Sequence, residues 1–83
     1  MTKDELVVWA EARGIPQSAY ALDGGHPSET LVLDQRGPLW VVYYSERGLE
    51  RDLYAFGQEL EALSYFRARL EEIVPIAGDR DAR

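Results

Sequence analysis

Apolar residues recur at helical spacing near the beginning of the chain. Leu6 and Trp9 fall on one face of a helix, since residues three apart lie one above the other. Thr2 and Glu5 stand in front of this pattern at the spacing of a capping box, in which each side chain bonds the other residue's backbone amide. The pattern predicts a helix over residues 3–13.

A second helical pattern occupies the last third of the chain. The apolar face consists of Leu60, Leu63, Phe66, Leu70 and Ile73. We expect a helix over residues 58–74, ended by Pro75 because proline cannot continue a helix. Residues 76–83 have no apolar anchor, so we expect a single domain over residues 1–75 followed by a disordered tail.

Between the helices, the pattern favours strands. Strands are expected at 20–22, 29–35, 39–45 and 49–56. The third of these is apolar on both faces, which is typical of a central strand. The connections are short, so we predict an α+β fold: a three- to four-stranded antiparallel meander with the N-terminal and C-terminal helices on one face.

The turn between the last two strands carries the most suggestive side chains. Gly48 suits the positive φ of a three- to five-residue hairpin loop. Tyr43 and Tyr44 must point to opposite faces of the sheet, and only one of them can join the core beneath the helices. The other is expected on the open face beside Glu46 and Arg47, where it could anchor an interface because tyrosine and arginine dominate binding hot spots.

Charge narrows the choice of partner. The chain has nine basic and fifteen acidic residues, a formal net charge of −6 and a pI near 4.6. Phosphate backbones repel such a chain, so nucleic acid is not an expected partner. A basic partner protein fits this charge, although acidity also serves solubility alone.

Candidate catalytic chemistry is sparse. His26 is the single histidine, and it lies in a turn-rich loop with Asp23, Ser28 and Glu29 nearby in sequence. These residues lack the rigid support that a catalytic set needs, and one nitrogen ligand is too few for a typical zinc site. With no cysteine in the chain, we expect no enzyme activity, no metal and no cofactor, and we interpret His26 as a loop residue or a partner contact.

The sequence also bears on location. The longest uncharged apolar run, at residues 39–44, is far shorter than the roughly 20 residues needed to cross a membrane. The first residues carry acids and no small-residue cleavage site, so they do not read as a secretory signal. We expect a cytoplasmic protein without a membrane partner.

The arrangement of several segments resembles a known family. In order they read GIPQSAYAL, DGGHPSE, LVLDQRGPLWVVYYSERGLE and LYAFGQELEALSYFRARL. Over residues 14–74 they resemble the small acidic immunity proteins encoded beside bacterial polymorphic toxins. The resemblance implies a non-enzymatic antitoxin that blocks the active site of a cognate secreted toxin, such as a nuclease or an NAD-consuming enzyme. The start of the second helix departs from the pattern, because Phe56-Gly57-Gln58-Glu59 lacks a Ser, Thr or Asp cap.

We therefore predict a surface for the basic cleft of a toxin domain. The candidate partner-binding residues are Asp23, His26, Glu29, Asp34, Tyr43, Tyr44, Glu46 and Arg47. The alternative is a small cytoplasmic adaptor or regulatory domain that binds through a sheet edge. Because few Lys or Pro residues guard the strands, the sequence also leaves open a homodimer formed through an edge strand.

Overall fold

The computed structural model describes residues 1–73. In chain order the elements are α1 (Lys3–Ala12), β1 (Tyr20–Ala21), β2 (Thr30–Arg36), β3 (Leu39–Glu46), β4 (Leu49–Phe56) and α2 (Glu59–Ile73). This confirms the α+β fold with a helix at each end. The predicted boundary at residue 75 and the tail at 76–83 lie outside the described residues. Neither helix in the described part is long and apolar enough to cross a membrane.

The N-terminal cap forms as the sequence predicts. The Thr2 hydroxyl accepts a hydrogen bond from the Glu5 amide at 3.1 Å, and the Thr2 amide donates to the Glu5 carboxylate at 2.7 Å. These two bonds satisfy two of the amides that a helix leaves free at its start. The cap therefore fixes where α1 begins, and Leu6 on its inner face is fully buried.

The four strands form one sheet in the order β1-β2-β3-β4. β2, β3 and β4 pair antiparallel, as predicted. β1 pairs parallel to β2, however, so the predicted meander is wrong for this first pair. The reason is that residues 22–29 form a crossing segment that turns the chain and starts β2 in the same direction as β1.

The β3–β4 turn is tighter than predicted. Arg47 and Gly48 alone form it, with φ angles of 53° and 79°, and Ser45 and Glu46 belong to β3. Two successive positive φ angles match the right-handed twist of the flanking strands, which is why two-residue hairpins favour them. The expected loop of three to five residues is therefore wrong.

Both helices cover the same face of the sheet. The main core joins Leu6 and Ala10 of α1, Leu31 and Leu33 of β2, Val42 of β3, and Ala62, Leu63, Phe66 and Leu70 of α2. Leu60 does not belong to it: 58% of this residue is exposed, so the predicted apolar face of α2 begins at Leu63.

The opposite face of the sheet carries a second, smaller core. Val32, Val41 and Tyr43 are buried there, with Ala21 packed against them. Tyr43 is only 1% exposed, so the expectation that a tyrosine on this face would be exposed is wrong. Tyr44, on the alternate face, is half-buried. The crossing segment makes the difference, because its backbone contacts the Tyr43 hydroxyl.

Candidate functional site

A polar cluster lies where the crossing segment meets the sheet. Tyr43 comes from the central strand, Glu50 from β4, Arg36 from the end of β2, and His26 from the crossing segment. Glu50 stands opposite Ser45 in the β3–β4 register, which places it on the same face as Tyr43. Three strands and a loop thus contribute one side chain each.

Glu50 is the centre of this cluster. Arg36 donates to Glu50 through both terminal guanidinium nitrogens, one of them at 3.0 Å from Oε1. His26 Nε2 lies 2.8 Å from Glu50 Oε2. A two-pronged arginine contact of this kind fixes the carboxylate in position as well as in charge.

The pKa of Glu50 follows from these contacts. The hydrogen bonds from Arg36, and then that from His26, lower the pKa of Glu50 to about 2. The same contact raises the pKa of Arg36 above its ordinary value. Both groups are therefore charged at every pH at which the protein is expected to work.

Arg36 also holds a second carboxylate and covers the tyrosine. Its Nε donates to Asp34 at 3.2 Å, and its guanidinium carbon lies 5.1 Å from the centre of the Tyr43 ring. The other Asp34 oxygen accepts from the Gln35 amide at 2.8 Å. Arg36 thus links two carboxylates above a buried aromatic ring, an arrangement that suits a planar cation.

Tyr43 fastens the crossing segment from below. Its hydroxyl donates to the Gly25 carbonyl at 2.7 Å, and its ring centre lies 6.1 Å from that of His26. Burial, followed by the negative charge of Glu50, raises the pKa of Tyr43. The hydroxyl therefore stays protonated at neutral pH and serves as a hydrogen-bond donor.

Gly24 brings the segment close enough for these contacts. Its amide donates to the Leu33 carbonyl at 2.9 Å, and its φ is +76°. A Cβ at this position would lie 2.6 Å from Oδ1 of Asp34. Only glycine fits both the left-handed backbone and the close approach to Asp34.

The contacts of this cluster hold the crossing segment against the sheet. We call the cluster the lock; its residues are His26, Asp34, Arg36, Tyr43 and Glu50. A carboxylate with a pKa near 2 that is held by arginine is a weak base and is not a proton donor near neutral pH. Within residues 1–73, Glu50 is the one side chain that hydrogen-bonds to the His26 ring. His26 pairs with neither Asp23 nor Glu29, the two acids that sequence proximity suggested.

Three other predicted residues meet at the far end of the sheet. Glu29 immediately precedes Thr30, which pairs with Ser45, so Glu29 lies close to Tyr44 and Glu46. Burial raises the pKa of Tyr44, and the charges of Glu29 and Glu46 raise it further. We call Glu29, Tyr44 and Glu46 the acidic sheet end. It places two carboxylates beside a half-buried aromatic ring, and one of them, Glu46, pairs with Arg51, which stands opposite Tyr44 in the register.

The remaining predicted residues are scattered. Asp23 is exposed and lies 3.5 Å from Lys3, and Arg47 occupies the hairpin turn. Glu46 pairs with Arg51 at 3.4 Å. It does not pair with Arg47, although the two are adjacent in sequence. The predicted set therefore divides into His26, Asp34 and Tyr43 in the lock, the acidic sheet end, and two isolated residues.

Sequence reasoning missed Arg36 and Glu50. The strand register sets Arg36 opposite Leu39 and Glu50 opposite Ser45, which are well separated along β3. The two side chains meet because Arg36 lies back over Tyr43, a direction that no periodicity specifies. The available signal was alternation alone, which puts Asp34, Arg36 and Glu50 on one face once the register is known.

Comparison with protein-family profiles, curated proteins and solved structures found no match. Among residues 1–73, no group of three or more histidine and acidic side chains is placed to hold a metal ion. The function is therefore inferred from the surface itself and from the resemblance described above.

Proposed function

We propose that this protein is an immunity protein: a non-enzymatic inhibitor that binds a cognate secreted bacterial toxin and blocks its active site. The observation that carries the proposal is the acidic sheet end. There Glu29 and Glu46 lie close to Tyr44, a residue type that can anchor an interface. Arg51 stands opposite Tyr44 in the register and pairs with Glu46. That the basic partner is a toxin is inferred from the family resemblance.

The charge of the whole chain supports the same kind of partner. A toxin that cleaves nucleic acid or consumes NAD must hold an anionic substrate, so its active-site cleft is expected to be basic. A protein of net charge −6 is attracted to such a cleft and competes there with the substrate. The lock supports the non-enzymatic part of the proposal, because its ionised groups are occupied in holding the crossing segment.

The experiment begins with capture of the partner. The tagged protein is used to isolate partners from the organism that encodes it, and the catalytic domain identified is then expressed in a bacterial host. We expect growth arrest by that domain alone and normal growth when the present protein is co-expressed. A captured partner that is harmless, or a toxin that is not neutralised, contradicts the proposal.

Charge-matched variants then locate the surface. Glu29→Gln combined with Glu46→Gln removes two charges at the acidic sheet end. Glu11→Gln combined with Glu61→Gln removes two from exposed helical positions. We expect the first variant to associate with the toxin about tenfold more slowly than the second, because local charge governs the encounter. Equal rates would exclude the acidic sheet end as the binding surface and leave only the effect of net charge.

A further inference from the structure

β4 forms one edge of the sheet. It pairs with β3 on one side, and in the described residues no strand lies on its other side. In an antiparallel ladder, the N–H and C=O groups of alternate residues point away from the neighbouring strand. The outer side of β4 therefore presents backbone donors and acceptors at the spacing of another strand.

The two halves of this edge differ in whether charges and irregular backbone discourage pairing with another strand. We call the first half guarded and the second half unguarded. The first half contains Glu50, Arg51 and Asp52, and Asp52 is an extra residue with a φ of 54° at which the β3–β4 register shifts. Charges and bulges of this kind discourage a new strand from pairing. The second half, Leu53–Phe56, contains neither a charge nor a proline. New pairing is therefore confined to this second half.

The unguarded half also exposes apolar side chains on both faces of the sheet. Leu53 is 41% exposed and Tyr54 is 54% exposed. Tyr54 lies on the helix-covered face, with its ring centre 5.2 Å from that of Tyr65 of α2. A strand that paired here would cover apolar surface above and below the ladder as well as satisfy backbone groups.

We propose that a second copy of this chain pairs with Leu53–Phe56 in antiparallel orientation, about a two-fold axis at Tyr54. Opposite residues of a ladder must share a face, and this register meets that condition. It sets Tyr54 against Tyr54 of the second copy and Leu53 against Ala55. The segment carries no charge that would select a basic partner, whereas an uncharged strand of matching length is present in every copy.

The register also keeps charges apart. Asp52 falls opposite Phe56 of the second copy, and Arg51 lies beyond the paired segment, so no like charges face each other. Both copies of α2 lie on the same face of the joined sheet, and the Tyr54–Tyr65 contact continues across the axis. The product is one eight-stranded sheet whose guarded halves lie at either side of the axis.

The first test is the mass of the unmodified protein in solution. Sedimentation velocity over a range of concentrations is expected to show a monomer that converts to a dimer. Tyr54→Lys sets two like charges opposite each other and should raise the dissociation constant by at least about tenfold. Leu49→Lys is the control, since Leu49 is 61% exposed but belongs to the guarded half. A protein that remains monomeric at every soluble concentration overturns the proposal.

The second test reports the register. The chain contains no cysteine, so Tyr54→Cys introduces a single thiol. Directly opposite residues of an antiparallel pair have Cα atoms about 4.5 to 5.5 Å apart, within the range of a disulfide. We expect mild oxidation to link Tyr54→Cys into a covalent dimer and to leave Leu49→Cys largely monomeric. Equal linkage of both variants would indicate random collision and overturn the proposed register.

The effect of added salt distinguishes pairing between copies of this chain from binding to a basic toxin. Two copies of net charge −6 repel each other, so added salt should strengthen the dimer by screening. Added salt should weaken binding to a basic toxin for the same reason. A dimer that weakens with salt contradicts the uncharged interface, whatever the outcome of the toxin experiment.

Discussion

At the scale of single residues, Glu50 determines how the crossing segment is held. It joins Arg36 of β2 to His26 of the segment, while Tyr43 bonds the Gly25 backbone beneath them. The sequence predicts His26, Asp34 and Tyr43 as candidates but assigns them to a partner. Their mutual contacts depend on the Arg36 side chain lying over the Tyr43 ring. The alternation of residues along a strand specifies which face of the sheet a side chain is on, but not the direction in which it extends along that face.

The acid stability of the protein tests the role of Glu50. The folded state lowers the pKa of Glu50 to about 2 from an ordinary value of 4.5. The ionised Glu50 therefore contributes fully to the free energy of unfolding above pH 4.5. That contribution is lost as pH falls from about 4.5 to about 2. We expect the free energy of unfolding of Glu50→Gln, measured by urea denaturation, to fall less over this range than that of the unmodified protein.

Glu46→Gln is the matched control for this experiment. Glu46 lies on the same sheet, but its contact with Arg51 is a single one at 3.4 Å, and exposed pairs of this kind contribute little. We expect the acid dependence of Glu46→Gln to follow the unmodified protein closely. Identical acid dependence in Glu50→Gln would mean that the ionised Glu50 does not stabilise the fold.

At the scale of elements, the regular structure was largely predictable and the crossing segment was not. Capping, periodicity and turn residues give α1 and the three long strands to within one residue of their bounds. The parallel pairing of β1 was missed because two residues carry no pattern that fixes strand direction. The course of residues 22–29 depends on Gly24 approaching Asp34, a contact distant in sequence.

Gly24→Ala tests whether that approach holds the segment on the sheet. A non-glycine residue at positive φ costs about 1–2 kcal/mol, and the new Cβ would also displace the Asp34 carboxylate from Arg36 and Gln35. Gly37→Ala provides the control, since its φ is +61° and a Cβ there meets nothing within 4 Å. We expect urea denaturation to show a larger loss of stability for Gly24→Ala, and equal losses would show that the approach to Asp34 contributes nothing.

At the scale of the whole molecule, the helix-covered core joins both helices to the sheet, and Phe56 of β4 packs against it while partly buried. Composition and periodicity predicted a small α+β domain with both helices on one face, because burial of two amphipathic faces requires it. Periodicity also assigned Leu60 to that core. A helical face is wider than the strip that contacts the sheet, and Leu60 lies in the first turn of α2, where it remains exposed.

Phe66 and Leu60 therefore allow a buried and an exposed position of the same helix, α2, to be compared. Phe66 is fully buried, and Phe66→Ala should cost about 3–5 kcal/mol. A domain of 83 residues has a total stability of about 4–12 kcal/mol, so Phe66→Ala should lose a quarter or more of that stability, and its urea denaturation midpoint, followed by circular dichroism, should fall accordingly. Leu60→Ala should cost less than about 0.5 kcal/mol. A comparable loss at Leu60 would place it in a buried contact that the isolated chain does not make, and would implicate the first turn of α2 in association between copies.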